Sequence, residues 1–384
     1  MLYRKMGKTG ESVSILGFGC MRLPVIDGKP SLIDEAKAGE MLKYAIDNGV
    51  NYIDTAYPYH SDVPMQKGMS EVFVGKFLSG GYRDKVFIAT KLPSWLINSR
   101  EDMDKYLNEQ LERLQTDHID FYLVHALKTD FWNKLNSLGI CEFLDSAIAD
   151  GRIKHAGFSF HDEIDVFKKI VDSYNWSFCQ IQYNYMDQNY QAGIEGLRYA
   201  SERGLGIVIM EPLKGGMLTS KMPEEITEVL NKFGIKRQPA DMALRYLWNH
   251  PEISVVLSGM TEMKHVTDNV LSAQKAVDGS FTVEDEEIIA EIKTAFQSKI
   301  KVGCTACKYC MPCPNQVNIP VIFQQYNAAF MYNNMEGIAF QYKIFLPAEC
   351  KASKCTKCGK CEKICPQKIK IMSVLDEVVK AFGA

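Results

Sequence analysis

The stretch NYIDTAYPYH, residues 51–60, decides how the fold is read. An apolar pair, Tyr52 and Ile53, runs straight into an acid, Asp54, and then into a short turn carrying Tyr59. In parallel α/β proteins ligands bind at the carboxyl ends of strands, so an acid there is a candidate for chemistry as well as a cap for the next helix. Working outward, apolar strand-like runs recur at residues 15–19, 51–54, 86–91, 119–125, 153–159, 178–182, 206–210 and 253–257. Helix-like segments follow them, clearest at 34–47, 100–114, 162–173 and 239–249, with Gly or Asn near several ends. Eight βα units in about 260 residues have the length and rhythm of a closed (β/α)8 TIM barrel. A doubly wound sheet is the alternative, but no G-x-G-x-x-G follows any strand. Residues 2–14, ahead of the first barrel strand, read as a hairpin.

The chain of 384 residues, 46% hydrophobic and 24% charged, is long enough for one large core and a smaller satellite. A net charge of −3 gives no electrostatic reason to bind nucleic acid or an anionic membrane. No run approaches the length of a membrane span and no secretory signal opens the sequence, so a cytoplasmic location is expected. Nine of the twelve cysteines lie between Cys304 and Cys365, a clustering that favours metal over disulfides.

If the barrel reading holds, VFIATK brings Lys91 and FYLVH brings His125 to the same rim as Asp54 and Tyr59. Lys91 is expected to favour the Tyr59 phenolate and lower the phenol pKa, Asp54 to orient Lys91, and His125 to hydrogen-bond a carbonyl oxygen beside the Tyr59 hydroxyl. Such a group can protonate a carbonyl oxygen as hydride reaches the carbon. Cys20, Met21, Trp95, Ala126 and Leu127 are expected to line the substrate pocket, with Arg22 and His60 as polar exceptions. For Arg22 a surface salt bridge is the alternative to a substrate carboxylate.

Asp54, Tyr59, Lys91 and His125 together resemble the catalytic tetrad of the aldo-keto reductases. Supporting stretches are GFGCMRLP, GRIKHAGFS, FCQIQYN, MEPLKGG and SGMTEMKHVTDN, and the resemblance runs over residues 1–277. It implies a nicotinamide cofactor, NADP or NAD, and a small-molecule carbonyl substrate. It also implies that Ser159 and Gln180 hold the carboxamide, and that the loop carrying Pro212, Leu213, Gly215 and Gly216 covers the pyrophosphate. Asn269 falls where the family contacts adenine. The departures lie on the cofactor side: Phe160 follows Ser159 where Asn is common, Met210 stands where an aromatic often stacks, and Gly259 and His265 occupy the positions of a lysine and an arginine near a 2′-phosphate.

After a connecting helix expected within 281–302, the composition changes at Gly303 to cysteine, lysine and proline. The domain division read from the sequence is therefore 1–280, 281–302 and 303–384. The tail reads C-x2-C-x2-C-x2-C-P at Cys304, Cys307, Cys310 and Cys313, then C-x2-C-x2-C-x3-C-P at Cys355, Cys358, Cys361 and Cys365. Paired C-x2-C also builds zinc sites, but three cysteines at successive i+3 spacing and the C-P ending suit iron-sulfur cubanes. The two runs resemble bacterial ferredoxins with two 4Fe-4S clusters. That resemblance implies one cluster on Cys304, Cys307, Cys310 and Cys365, and the other on Cys355, Cys358, Cys361 and Cys313, with Cys350 unassigned. The first run is one residue short before Cys313. Residues 372–382 read as an amphipathic helix able to dock on the barrel.

From Lys301 onward eleven lysines face five acids, and Lys351, Lys354, Lys357 and Lys360 could guide an acidic electron carrier. Nicotinamide passes electrons in pairs and each cluster passes them singly, so a flavin or a substrate reducible in single steps would reconcile the halves. Two other readings stand beside this one. Either the clusters are structural in an ordinary NAD(P)H-dependent reductase, or the barrel is a sensing or electron-carrier module without turnover.

Overall fold

The structure, a computed structural model, describes residues 1–219, 222–233, 238–276 and 281–383. The boundary read at residue 280 and the end of the resemblance at Val277 lie outside them. Two short strands, β1 (Tyr3–Lys5) and β2 (Ser12–Ser14), form the expected antiparallel hairpin. Eight parallel strands then close a barrel: β3 (Leu16–Gly19), β4 (Tyr52–Asp54), β5 (Phe87–Leu92), β6 (Ile119–Leu127), β7 (Ile153–Phe160), β8 (Phe178–Gln182), β9 (Gly206–Met210) and β10 (Ile253–Gly259), with β10 paired to β3. The (β/α)8 reading is correct, and each expected strand matches an observed one to within two residues.

Alternation along the strands divides the apolar side chains between two layers. Tyr52, Ala89, Phe121, Leu123, Phe178, Val208 and Val255 fill the barrel interior together with Met6 and Val13. Their rings pack edge-on and tilted, Phe121 lying 5.4 Å from Tyr52 and 5.2 Å from Phe178. Gly7, at φ +51°, and Gly206 let the hairpin approach the start of β9, where a Cβ on Gly206 would strike Met6. The outer layer, which includes Leu107, Phe158, Phe167 and Trp176, seals the sheet against the helices. The helix Arg100–Leu114 starts at a Ser99–Asp102 capping box and ends at Gln115 in the left-handed region.

The chain divides into two compact units, one of Met1–Gly215 with Pro239–Thr282, the other of Gly216–Gln238 with Val283–Ala384. The connecting helix is Val283–Gln297, and it packs against Glu224–Lys232 within the second unit. That unit has its own core, in which Val317, Ile322, Phe323 and Tyr342 meet Ile371, Leu375, Val378 and Phe382. The terminal helix, Ile371–Phe382, thus uses its apolar face inside the second unit's core, a correction to the expectation that this face docks on the barrel. The stripe Ile371, Leu375, Val378, Phe382 predicts burial, but it does not specify the surface that provides it.

Candidate active site and cysteine centres

Register places the four candidate residues together. Asp54 ends β4, opposite Gly19 on one side and Ala89 on the other; Lys91 lies near the end of β5, opposite Leu123. On β6 the pairing with β7 slips between Val124 and Leu127, and Ala126 there has φ +52°. This bulge carries the strand two residues past its expected end, and bulges of this kind re-aim side chains beside sites. His125 sits within it, 5.2 Å from the Trp95 ring and 6.3 Å, edge-on, from the Tyr59 ring.

Lys91 is fully buried, and its ammonium donates to both Asp54 oxygens at 2.8 and 2.7 Å, to the Thr55 carbonyl at 2.8 Å and to the Tyr59 hydroxyl at 3.3 Å. Two accepting oxygens are the mark of an ionised carboxylate. Burial opposes the Lys91 charge, but Asp54 and Tyr59 outweigh it and raise the ammonium pKa. The Tyr59 phenol shifts upward, contrary to the expectation of a lowered value. Burial pushes it up, and the opposing pull of Lys91 does not compensate. Tyr59 is therefore a neutral phenol with a proton to give. Burial, then the Lys91 charge, hold His125 far below the ordinary histidine range, so its ring is neutral. His125 Nδ1 is buried without a partner among the described residues.

Beneath these residues lies a buried polar cluster. Glu71 accepts from Thr90 Oγ1 at 2.6 Å, Gln110 Nε2 at 2.6 Å and Arg113 Nε at 2.9 Å, while Gln110 Nε2 also lies 3.0 Å from the Lys91 carbonyl. Arg113 further donates to the Gly68 carbonyl. The cluster ties the helices Ser70–Leu78 and Arg100–Leu114 to β5 at the level of Lys91. The sequence did carry a signal: Gln110 occupies an apolar-face position between Leu107 and Leu114.

Ser159 and Gln180 are register partners on β7 and β8. Ser159 Oγ accepts from the Ala126 N–H at 2.7 Å, and Gln180 Nε2 approaches Met210 Sδ at 3.4 Å. Gln180 Oε1 is buried and has no partner among the described residues, an acceptor suited to the N–H of a carboxamide. The residues present therefore fit a nicotinamide at this edge. Pro212, Leu213 and Gly215 form the turn after β9, and Gly216 opens the second unit. Gly259 ends β10 opposite Gly19. His265 is exposed and hydrogen-bonded with Thr261 Oγ1 at 3.2 Å, while Asn269 is buried and donates to Ser258 Oγ at 3.0 Å, bracing its helix on β10.

Of the expected pocket residues, His60 and Leu127 need correction, whereas Trp95 stands beside His125. His60 is buried and braces a loop instead, its Nε2 accepting from the Leu23 N–H at 3.1 Å and its Nδ1 lying 2.9 Å from the Pro30 carbonyl. Leu127 is fully buried and paired to Phe160 in the sheet, and Cys20 is fully buried. Met21 is 55% exposed, and Trp95 donates to the Met65 carbonyl at 2.7 Å. Arg22 makes neither the expected salt bridge nor any other ion pair among the described residues.

In the tail, both cysteine runs follow one backbone pattern. Left-handed residues fall at Ala306 and Lys308 in the first run, and at Lys357 and Gly359 in the second. Alternation of this kind turns backbone N–H groups toward a common centre, as in anion-binding and iron-sulfur nests. Two cavities result. One, of about 300 Å³, is lined by Cys310, Cys313, Cys355, Cys358 and Cys361. The other, smaller, is lined by Cys304, Cys307, Cys310 and Cys365. Each cavity draws sulfurs from both runs, and the residues present fit iron-sulfur cubanes. Cys350 lines neither; its carbonyl accepts from the Asn318 N–H at 3.0 Å. Among the described residues no helix is long and apolar enough to cross a membrane.

Comparison with known proteins agrees with this geometry. The sequence model of the aldo/keto reductase family matches residues 15–289, and that of a 4Fe-4S dicluster domain matches residues 303–369. The oxidoreductase YrpG of Bacillus subtilis, described as uncharacterized, is 27% identical over 335 residues, spanning 77% of this chain and 96% of its own. L-galactose dehydrogenase of Arabidopsis thaliana is 26% identical over 313 residues, spanning 77% and 94%. Among solved structures, the holo form of aldo-keto reductase AKR11C1 from Bacillus halodurans is 27% identical with a TM-score of 0.62, covering 76% of this chain and 96% of its own. The chain belongs to the aldo/keto reductase family of oxidoreductases and carries a C-terminal 4Fe-4S ferredoxin-type domain.

Proposed function

We propose that the protein reduces a carbonyl or related unsaturated small molecule at the barrel mouth, with Tyr59 as proton donor and two 4Fe-4S clusters in the tail relaying electrons from a partner. The observation that carries this reading is the buried Lys91 ammonium, held by both Asp54 oxygens and in contact with the Tyr59 hydroxyl. When bound, the dinucleotide supplies hydride and the clusters supply single electrons. Ser159 and Gln180 would hold the carboxamide, and the turn after β9 would meet the phosphates.

The chain's own residues do the rest. A carbonyl oxygen seated between Tyr59 and His125 accepts a hydrogen bond from each. As negative charge grows on it, the Tyr59 proton moves across and Lys91 stabilises the phenolate left behind. A positioned general acid of this kind contributes roughly 10² to 10⁴ in rate. Asp54 keeps Lys91 charged and aimed. Trp95, beside His125, gives the mouth an apolar wall.

The crosswise sharing of sulfurs supports a cluster on Cys304, Cys307, Cys310 and Cys365, and a second on Cys355, Cys358, Cys361 and Cys313. The lysine excess of the tail favours an acidic one-electron carrier as partner. Purification without oxygen, followed by iron and sulfide analysis, tests the assignment: two clusters give about eight of each. Identifying the organic cofactor released on denaturation tells NADP, NAD and flavin apart.

The packing of the half-buried Cys304, Cys310, Cys313, Cys355, Cys361 and Cys365 against a hydrophobic core favours one other reading, in which the clusters only hold the tail together. Turnover with NAD(P)H that ignores the redox state of the clusters would select it. The matches to oxidoreductases argue against a module without turnover.

A further inference from the structure

The two cysteine runs share one backbone pattern but differ in charge. Aligned on their cysteines, Ala306 of the first run matches Lys357 of the second, Lys308 matches Gly359 and Tyr309 matches Lys360. Residues 351–370 hold seven lysines and one acid, Glu362, whereas residues 301–320 hold two lysines and no acid. A cubane with four thiolates carries the same negative charge in either cavity, so the lysines set the difference between the two ends. Two of the seven are already engaged. Lys351 donates to the Lys343 carbonyl at 3.1 Å and lies over the Tyr342 ring, and Lys357 pairs with Asp376 at 2.9 Å. Lys360 and Lys363 are exposed and form no ion pair among the described residues.

These two cations leave the short helix Lys360–Ile364 one turn apart, and Ile364, on the same side, is 54% exposed. Lys360 and Ile364 line the cavity of the second run, and so does Tyr309, which is 65% exposed. Of the cysteines lining that cavity, Cys358 alone is exposed, while Cys310, Cys313, Cys355 and Cys361 are half-buried. The sulfur that reaches solvent is therefore ringed by two apolar side chains and two unpaired ammonium groups. An apolar centre with a charged rim is the anatomy of a protein–protein contact, and its small extent suits electron-transfer encounters, which bury little area.

We propose that a small acidic one-electron carrier protein docks on this face, over Cys358, and that electrons enter the tail through the second-run centre. The inference rests on the reading that the clusters relay electrons, and it adds which centre receives them and through which residues. Each encounter moves one electron: the carrier loses it, the centre gains it, and no bond or proton changes hands. Reduction of a carbonyl needs two such encounters.

The test mixes the anaerobic, full-length holoprotein with a reduced acidic flavodoxin in a stopped-flow instrument and follows the bleaching of the cluster absorbance. Lys360→Glu with Lys363→Glu is expected to lower the second-order rate constant about 10-fold or more at about 0.1 M salt, and to abolish its fall with ionic strength. Lys343→Glu with Lys380→Glu reverses the same charge on exposed residues elsewhere in the tail, and is expected to leave the rate within about threefold of wild type. Ile364→Ser slows the reaction without changing its salt dependence. Iron content is measured beside each rate, and the milder pair Lys360→Gln with Lys363→Gln, expected to fall between wild type and the Glu pair, carries the test if the Glu pair loses iron. Reduction of the Lys360 and Lys363 variants as fast as wild type overturns the inference, and so does equal slowing of both Glu pairs. A rate that depends on Lys360 and Lys363, beside carbonyl turnover that ignores the supply of reduced flavodoxin, leaves the docking face standing and removes the relay reading instead.

Discussion

Replacing Lys91 by Met removes four contacts at once: two to Asp54, one to the Thr55 carbonyl and one to the Tyr59 hydroxyl. The side chain is fully buried and Asp54 is 2% exposed, so the carboxylate left behind has neither water nor a counter-charge. Breaking one half of such a pair costs about 3–5 kcal/mol, a large share of the 5–15 kcal/mol that holds a domain together. Asp54→Asn with Lys91→Met removes the stranded charge and is expected to cost less than the single Lys91→Met change. The sign of the pH effect follows. In Lys91→Met, burial raises the folded-state pKa of Asp54 above its unfolded value, so the folded chain takes up a proton first and the deficit shrinks as pH falls. Urea unfolding is followed at about pH 8 and about pH 5 by tryptophan fluorescence, since Trp95, Trp132, Trp176 and Trp248 all belong to the barrel unit. A Lys91→Met protein within about 1 kcal/mol of wild type at the higher pH would refute the claim that a buried charge pair anchors the site.

Three further outcomes are expected. Tyr59→Phe lowers carbonyl turnover by about 10² to 10⁴ while leaving dinucleotide affinity and melting temperature nearly unchanged, because the hydroxyl's contact with Lys91 is long; turnover within a few-fold of wild type in an anaerobic assay with reductant excludes Tyr59 as the donor. Turnover is flat across neutral pH, since the neutral His125 ring protonates only well below about 6.5 and the protonated Tyr59 phenol ionises only above about 10. A transition centred near pH 6.5 in the rate profile contradicts this. Cys365→Ser disturbs the centre built on the first cysteine run and Cys313→Ser that on the second, each removing about half of the iron; iron assays showing Cys365→Ser and Cys361→Ser acting on the same centre, by their spectra, overturn the crosswise grouping.

Much of the barrel was legible because a parallel strand is a short, nearly continuous apolar run, and eight of them were spaced like βα units. Asp54, Lys91 and His125 were legible because each closes such a run. The upward shift of Tyr59 was not, since it depends on the balance of burial against one ammonium, a quantity that exists only in three dimensions. His60 misled for a similar reason: a polar residue near a rim can as easily brace a loop, and only its bonds to Leu23 and Pro30 decide. The bulge at His125 and Ala126 leaves no mark in composition. Glu71 and Arg113 pair across 42 positions, beyond any local period. Segment Gly216–Gln238 belongs with the tail by contact alone, and nothing in its sequence announces the partner.

Each sulfur-lined cavity takes ligands from both cysteine runs, with the helices Ile319–Met331 and Met335–Phe345 strung between them. Metal seated in either cavity would act as a clasp on the same long loop, and seating one centre would shorten the search for the other. Iron starvation or oxidative loss would then loosen this loop before it reached the eight strands, whose packing contains no cysteine ligand. Brief protease exposure of iron-depleted protein should trim the cysteine-rich tail from about Gly303 onward and spare the ring, leaving a fragment that retains its fold but has lost its wiring.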